Sequence, residues 1–166
     1  MFTQNSFKTP SQAFDRLHIA YLAIVGGSML AFLLVYLQTE KIAPANPAAT
    51  QLISVFNYVV PLVCILLIGF AIILLKQRFK HIGTAQNLAD KVNIYLKTKI
   101  LQFAILEGAA LFAAAIYFIT AFKLYLIYFF AAMITLHFQK PSMANFAKEV
   151  QLKDTEIEAL KANKFA

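Results

Sequence analysis

Ile100-Leu-Gln-Phe-Ala-Ile-Leu-Glu107-Gly-Ala-Ala-Leu-Phe-Ala-Ala-Ala-Ile-Tyr-Phe-Ile-Thr-Ala-Phe122 decides the fold class. A membrane-crossing helix needs about 20 mostly apolar residues, because each adds about 1.5 Å against a hydrocarbon layer about 30 Å thick. This run has that length, with Lys97 and Lys99 before it and Lys123 after it. One carboxylate, Glu107, lies about seven residues, or about 10 Å, inside the Lys99 end. A charge at the centre of a span costs roughly 2.5–3.5 kcal/mol on insertion scales. At its depth Glu107 is too far in for its short side chain to reach the headgroups, so it is expected to face protein or water, protonated or paired. Gly108, Ala109 and Ala110 beside it let a second helix come close.

Working outward, three more apolar runs repeat the pattern. The spans are expected at about 17–37, 52–75, 100–122 and 124–139, the last being short for a full crossing unless it borrows 121–123 and 139–140 or the bilayer thins there. Composition agrees: the 166 residues are 60% hydrophobic, with a mean hydropathy of +0.67, which suits a membrane bundle better than a soluble domain. A net charge of +7 would suit nucleic acid, but the basic residues lie between and after the apolar runs and no nucleic-acid motif is present, so nucleic acid is excluded as a partner. Cys64 is the single cysteine, so there is no internal disulfide and no zinc set. Sixteen Phe and seven Tyr without Trp make the interfacial belt a Phe/Tyr one.

The connections are legible in turn. Met1–Ala13 is polar and reads as a surface segment; the apolar run after it is too long for a signal peptide, and no cleavage is expected. Glu40–Gln51, with Pro44, Asn46 and Pro47, reads as a loop. Pro61 inside the second span frees the Asn57 carbonyl and predicts a kink at Asn57–Pro61, with the Asn57 amide or a water satisfying that carbonyl. The connection 76–99 is basic: Lys76, Arg78, Lys80, Lys97 and Lys99 are expected to meet anionic lipid headgroups. Past Gly83, with Thr84 as a cap, Leu88, Val92, Tyr95 and Leu96 recur at helical spacing and predict a basic helix that lies on the membrane or runs into the third span. Pro141 ends the fourth span. The cytoplasmic tail 142–166 offers short helices at 142–151 and 155–163, the second behind a Thr155-x-x-Glu158 capping box, though its polar composition favours a solvated, fraying segment.

Charge sets the orientation. The long connection and the tail carry most of the Lys and Arg, so N-terminus, long connection and C-terminus are expected in the cytoplasm. An internal match at an offset of 81 residues aligns Ala23-Ile24-Val25-Gly26-Gly27 with Ala104-Ile105-Leu106-Glu107-Gly108, which implies two hairpins related as a parallel repeat. Gly26 is then the counterpart of Glu107, and the third span is expected to pack against Gly26-Gly27, with Gly108 on the facing surface. The polar partners for Glu107 on its side of the membrane are His18, His137 and Thr135; a histidine there would share a proton with it.

The core Ala-Ile-Leu-Glu-Gly-Ala-Ala-Leu-Phe, with its basic approach at Lys91–Lys99 and the charged tail after Pro141, resembles an uncharacterised family of small bacterial four-helix integral membrane proteins that carry a Leu-Glu-Gly signature in the third helix. The resemblance covers the C-terminal half and implies a multi-pass protein of the bacterial inner (cytoplasmic) membrane; it carries no activity. The layout is also similar to the proteolipid subunit of rotary ATPases, which in its four-helix form is a duplicated hairpin with a membrane carboxylate. It departs from that pattern in three ways: Glu107 is on the first helix of its hairpin and off centre, the dense glycine repeat is missing, and the connection is long and basic.

No catalytic constellation emerges. His18, His81 and His137 are scattered, no helix pairs His at i and i+4, and there is neither a nucleotide-binding glycine turn nor a nucleophile elbow. The sequence is therefore read as an all-α, polytopic membrane protein: one membrane domain over 1–166, a four-helix bundle of structural or accessory type, not an enzyme, without cofactor or metal. Its partners are expected to be membrane lipids and a homo-oligomer or larger membrane complex. The alternative is a proton- or ion-handling subunit that uses Glu107.

Overall fold

The computed structural model describes the backbone of residues 9–42, 47–82 and 87–165, and the side chains of these except 40–42, 47–51, 74–76 and 80–81. Among the described residues every element is helical: α1 (Pro10–Ile42), α2 (Pro47–Ile82), α3 (Leu88–Thr120), α4 (Tyr125–Phe138), α5 (Met143–Val150) and α6 (Asp154–Lys161). Three helices are long and apolar enough to cross a membrane, within Pro10–Thr39, Leu52–Phe79 and Leu88–Thr120. α4 has 14 residues, or about 21 Å of rise, and borrows nothing as helix from its flanks.

The long helices overrun the expected boundaries. α1 starts at Pro10, a residue suited to a first helical turn, where a surface segment was expected. α1 reaches Ile42 and α2 begins at Pro47, so the loop expected at Glu40–Gln51 shrinks to 43–46, which lie outside the described residues. The basic helix expected between the second and third spans is not a separate element. Its first part is the end of α2, and the rest is the start of α3, capped by Asn87, whose Oδ1 accepts the Asp90 N–H at 2.9 Å. Gly83 and Thr84 lie outside the described residues. α2 continues through Pro61.

The single membrane domain read from the sequence packs as two compact units. Unit 1 comprises 1–22, 72–102 and 140–166; unit 2 comprises 23–71 and 103–139. Unit 1 has an aromatic core in which the Tyr95 ring lies 5.9 Å from Phe14, 5.2 Å from Phe79 and 4.8 Å from Phe146. Leu17, Leu88, Val92, Val150 and Leu160 complete it. The tail is built into this core instead of fraying. Phe146 is fully buried, and Asn163 Oδ1 accepts the Ser11 N–H at 2.9 Å. Ser142 caps α5 by accepting the Asn145 N–H at 3.0 Å. The cap of α6 falls two residues ahead of the expected box, with Glu156 accepting the Lys153 N–H at 3.1 Å.

Unit 2 packs along an alanine face of α3. Ala109, Ala110, Ala113 and Ala114 are buried, and Cys64 Sγ approaches the Ala109 carbonyl at 3.8 Å. Phe32 stacks on Phe129 at 4.4 Å and Tyr36 on Tyr117 at 6.2 Å. Its outer surface is apolar: Leu30, Leu33, Leu34, Leu62, Ile65, Leu66, Ile119, Ile127 and Ile134 are all exposed. Three threonine hydroxyls in this unit bond their own helices, with Thr39, Thr120 and Thr135 donating to the carbonyls four residues back.

Candidate functional site

Glu107 is the carboxylate around which a site is expected, and it belongs to unit 2. It is half-buried on α3. Ser28 on α1, itself 1% exposed, donates its hydroxyl to Glu107 Oε1 at 3.3 Å. This is a long contact for a hydroxyl–carboxylate bond, whose usual distance is about 2.5–2.7 Å. The contact joins α1 to α3 within unit 2.

The other candidates have these surroundings. Thr135 donates to the Ala131 carbonyl at 2.8 Å. His137 is exposed, its ring 6.5 Å from Phe138, and it lines an apolar groove between α1 and α4 with Val25, Met29 and Met133. His18 belongs to unit 1, where it stacks on Tyr21 at 6.1 Å. Asn57 engages its side chain through Oδ1, which accepts the Tyr125 hydroxyl at 3.2 Å; Tyr125 also approaches the Ile53 carbonyl at 3.4 Å.

Among the described residues nothing packs closely on the glycine surfaces. Gly26, Gly27 and Gly108 are exposed, and a Cβ placed on any of them would meet nothing within 4 Å. The alanine face of α3 takes the close approach expected of them. Ser28, one position past Gly27, is the residue that meets Glu107. The repeat register makes Gly26 the counterpart of Glu107, and Ser28 lies two residues further along α1.

The basic set divides. Arg78 and Lys97 are exposed, while the Lys76 and Lys80 side chains lie outside the described residues. Lys99 is not at the surface. It is 1% exposed, pairs with Glu149 at 3.2 Å and lies 5.5 Å from the ring centres of both Phe79 and Tyr95. Lys91, also buried, pairs with Glu156 at 2.6 Å. Burial pushes the Glu156 carboxyl up, but hydrogen bonds from Lys91 and the Lys153 N–H, with the charges of both lysines, outweigh it and hold the group below its ordinary value. These two ion pairs tie α5 and α6 to α3. The sequence reading missed them because their partners are 50 and 65 residues apart.

No group of three or more His, Cys, Asp or Glu side chains capable of holding a metal ion occurs among the described residues. No protein-family model, curated protein or solved structure matches the chain.

Proposed function

We propose that the protein is an integral membrane protein of structural or accessory type, a four-helix membrane bundle that carries a folded cytoplasmic helical unit. The observation that carries this is the partition of charge. Of the 15 Lys and Arg residues, only Lys41 and Lys123 belong to unit 2; of the 8 Asp and Glu residues, only Glu40 and Glu107 do. Unit 2 combines this with an apolar outer surface that water would not tolerate and lipid would.

The path of the chain supports an even number of crossings. The start of α1, the end of α2, the start of α3 and the tail after α4 all belong to unit 1. If α1 to α3 each cross, α4 must return the chain to the side it started from, despite its length. The excess of Lys and Arg in unit 1 supports a cytoplasmic placement of that side. In this reading Glu107 is a packing residue held by Ser28.

Proton flux into liposomes, with the wild-type protein beside Glu107→Gln and folding followed by circular dichroism, tests the role. The structural reading expects no flux from either protein and a shifted thermal midpoint in the variant. Flux in wild type that Glu107→Gln abolishes, with the fold intact, would make the protein an ion-handling subunit instead.

A further inference from the structure

Unit 1 contains a groove with a built-in charge pattern. α1 lines it with Ala13, Arg16, Leu17 and Ala20. α3 lines it with Asn93, Leu96, Lys97 and Ile100. Both sets follow the spacing i, i+3, i+4, i+7, so each helix turns one continuous face to the groove. Arg16 and Lys97 are exposed cations on opposite walls, and apart from Asn93 the rest of the lining is apolar. Among the described residues that line it there is no carboxylate. The groove is open on one side and its free volume is about 40 Å³, too little for a whole lipid, so a ligand there would lie along it with most of its length outside.

The depth matches as well. Arg16 immediately precedes the first span and Lys97 lies three residues ahead of the third. On the membrane reading above, both cations stand at the level of lipid phosphates, while Ala20 and Ile100 lie toward the hydrocarbon. Basic pockets between helices on the cytoplasmic side are suited to anionic headgroups.

We infer that this groove is a site for an anionic phospholipid, its phosphate held between Arg16 and Lys97 and the start of one acyl chain lying along Leu17, Ala20, Leu96 and Ile100. Both features of the ligand are needed: the cations select the anion, and the apolar floor distinguishes a lipid from free phosphate.

The test is native mass spectrometry of the full chain in mild detergent, titrated with dioleoyl phosphatidylglycerol or dioleoyl phosphatidylcholine. Wild type is expected to hold one phosphatidylglycerol about tenfold more tightly than phosphatidylcholine, which is about 1.4 kcal/mol. Arg16→Gln with Lys97→Gln should reduce the preference to less than twofold. Arg16 makes other contacts in the fold, so Lys97→Gln alone, at an exposed side chain, carries the charge test if the double variant unfolds. Ala20→Phe should weaken phosphatidylglycerol binding with both cations present, and Lys161→Gln with Lys164→Gln should leave it unchanged. An unaltered preference in Lys97→Gln and the double variant would overturn the site, as would an equal loss in the Lys161 and Lys164 control. Displacement of the lipid by millimolar inorganic phosphate would overturn the choice of a lipid. A chain that stays soluble and helical after detergent removal would instead overturn the membrane reading itself.

Discussion

Replacing Phe146 by alanine tests whether the tail is part of the fold. Phe146 is fully buried in unit 1, with its ring 5.5 Å from Phe14 and 4.8 Å from Tyr95. Truncating a buried phenylalanine costs about 3–5 kcal/mol, and α5 is a short terminal helix that can settle into part of the cavity, so the lower figure applies. About 3 kcal/mol raises the undocked population of α5 and α6 by about 100-fold. Limited trypsin digestion of the purified protein reads this population at Lys148 and Lys153, provided reclosing is faster than cleavage. Cleavage there should speed up by about that factor in Phe146→Ala, with helical content elsewhere unchanged. Phe138→Ala, at a side chain 79% exposed, should leave the rate alone. Equally fast cleavage in wild type and Phe146→Ala would refute a docked tail, and equally slow cleavage in both would refute Phe146 as its anchor.

Three further substitutions probe the polar interior. Ser28→Ala removes the hydroxyl that meets Glu107 and should lower the stability of the detergent-solubilised protein by about 0.5–1.5 kcal/mol in thermal unfolding, the range of an ordinary intramolecular hydrogen bond. Gln102 is fully buried, and neither end of its amide has a hydrogen-bond partner among the described residues, so Gln102→Leu should raise stability by about 1–3 kcal/mol in the same assay. The Glu156 carboxyl is held below its ordinary value of 4.5. Its contribution is therefore complete above that pH and is lost as pH falls through the lowered folded value, so tail protection against an acid-active protease should decline at low pH in wild type and decline less in Glu156→Gln.

The sequence made the apolar helices legible because hydrophobic length is a local property. Ile100–Phe122 marks α3 almost to its last residue, since α3 ends at Thr120 with Ala121 in the left-handed region at φ 54°. The starts were harder: α3 begins at Leu88, before the apolar run, because Tyr95, Lys99 and Leu96 are buried by a unit that hydropathy does not describe. The tail reads as solvated on composition alone, yet a few apolar residues, Phe146, Val150, Leu152 and Leu160, suffice to dock it when two acidic side chains meet buried lysines. At the candidate site Glu107 stands out in the sequence by the cost of a carboxylate in an apolar run. Its contact with Ser28 is not legible there, because the candidates named from the sequence, His18, His137 and Thr135, rest on side-chain type and depth, and which side chain meets Glu107 depends also on helix rotation.

The most direct test of the four-crossing bundle is accessibility to a membrane-impermeant maleimide, with single cysteines placed in a Cys64→Ala background. On the proposed four-crossing arrangement, Asn46→Cys, in the connection between α1 and α2, and Lys123→Cys would report on one side of the membrane, Ser11→Cys and Lys164→Cys on the other. The account predicts labelling at 46 and 123 from outside intact cells, and at 11 and 164 only after lysis. Labelling of Lys164→Cys from outside, with Ser11→Cys still protected, would mean that α4 does not cross and would contradict the account.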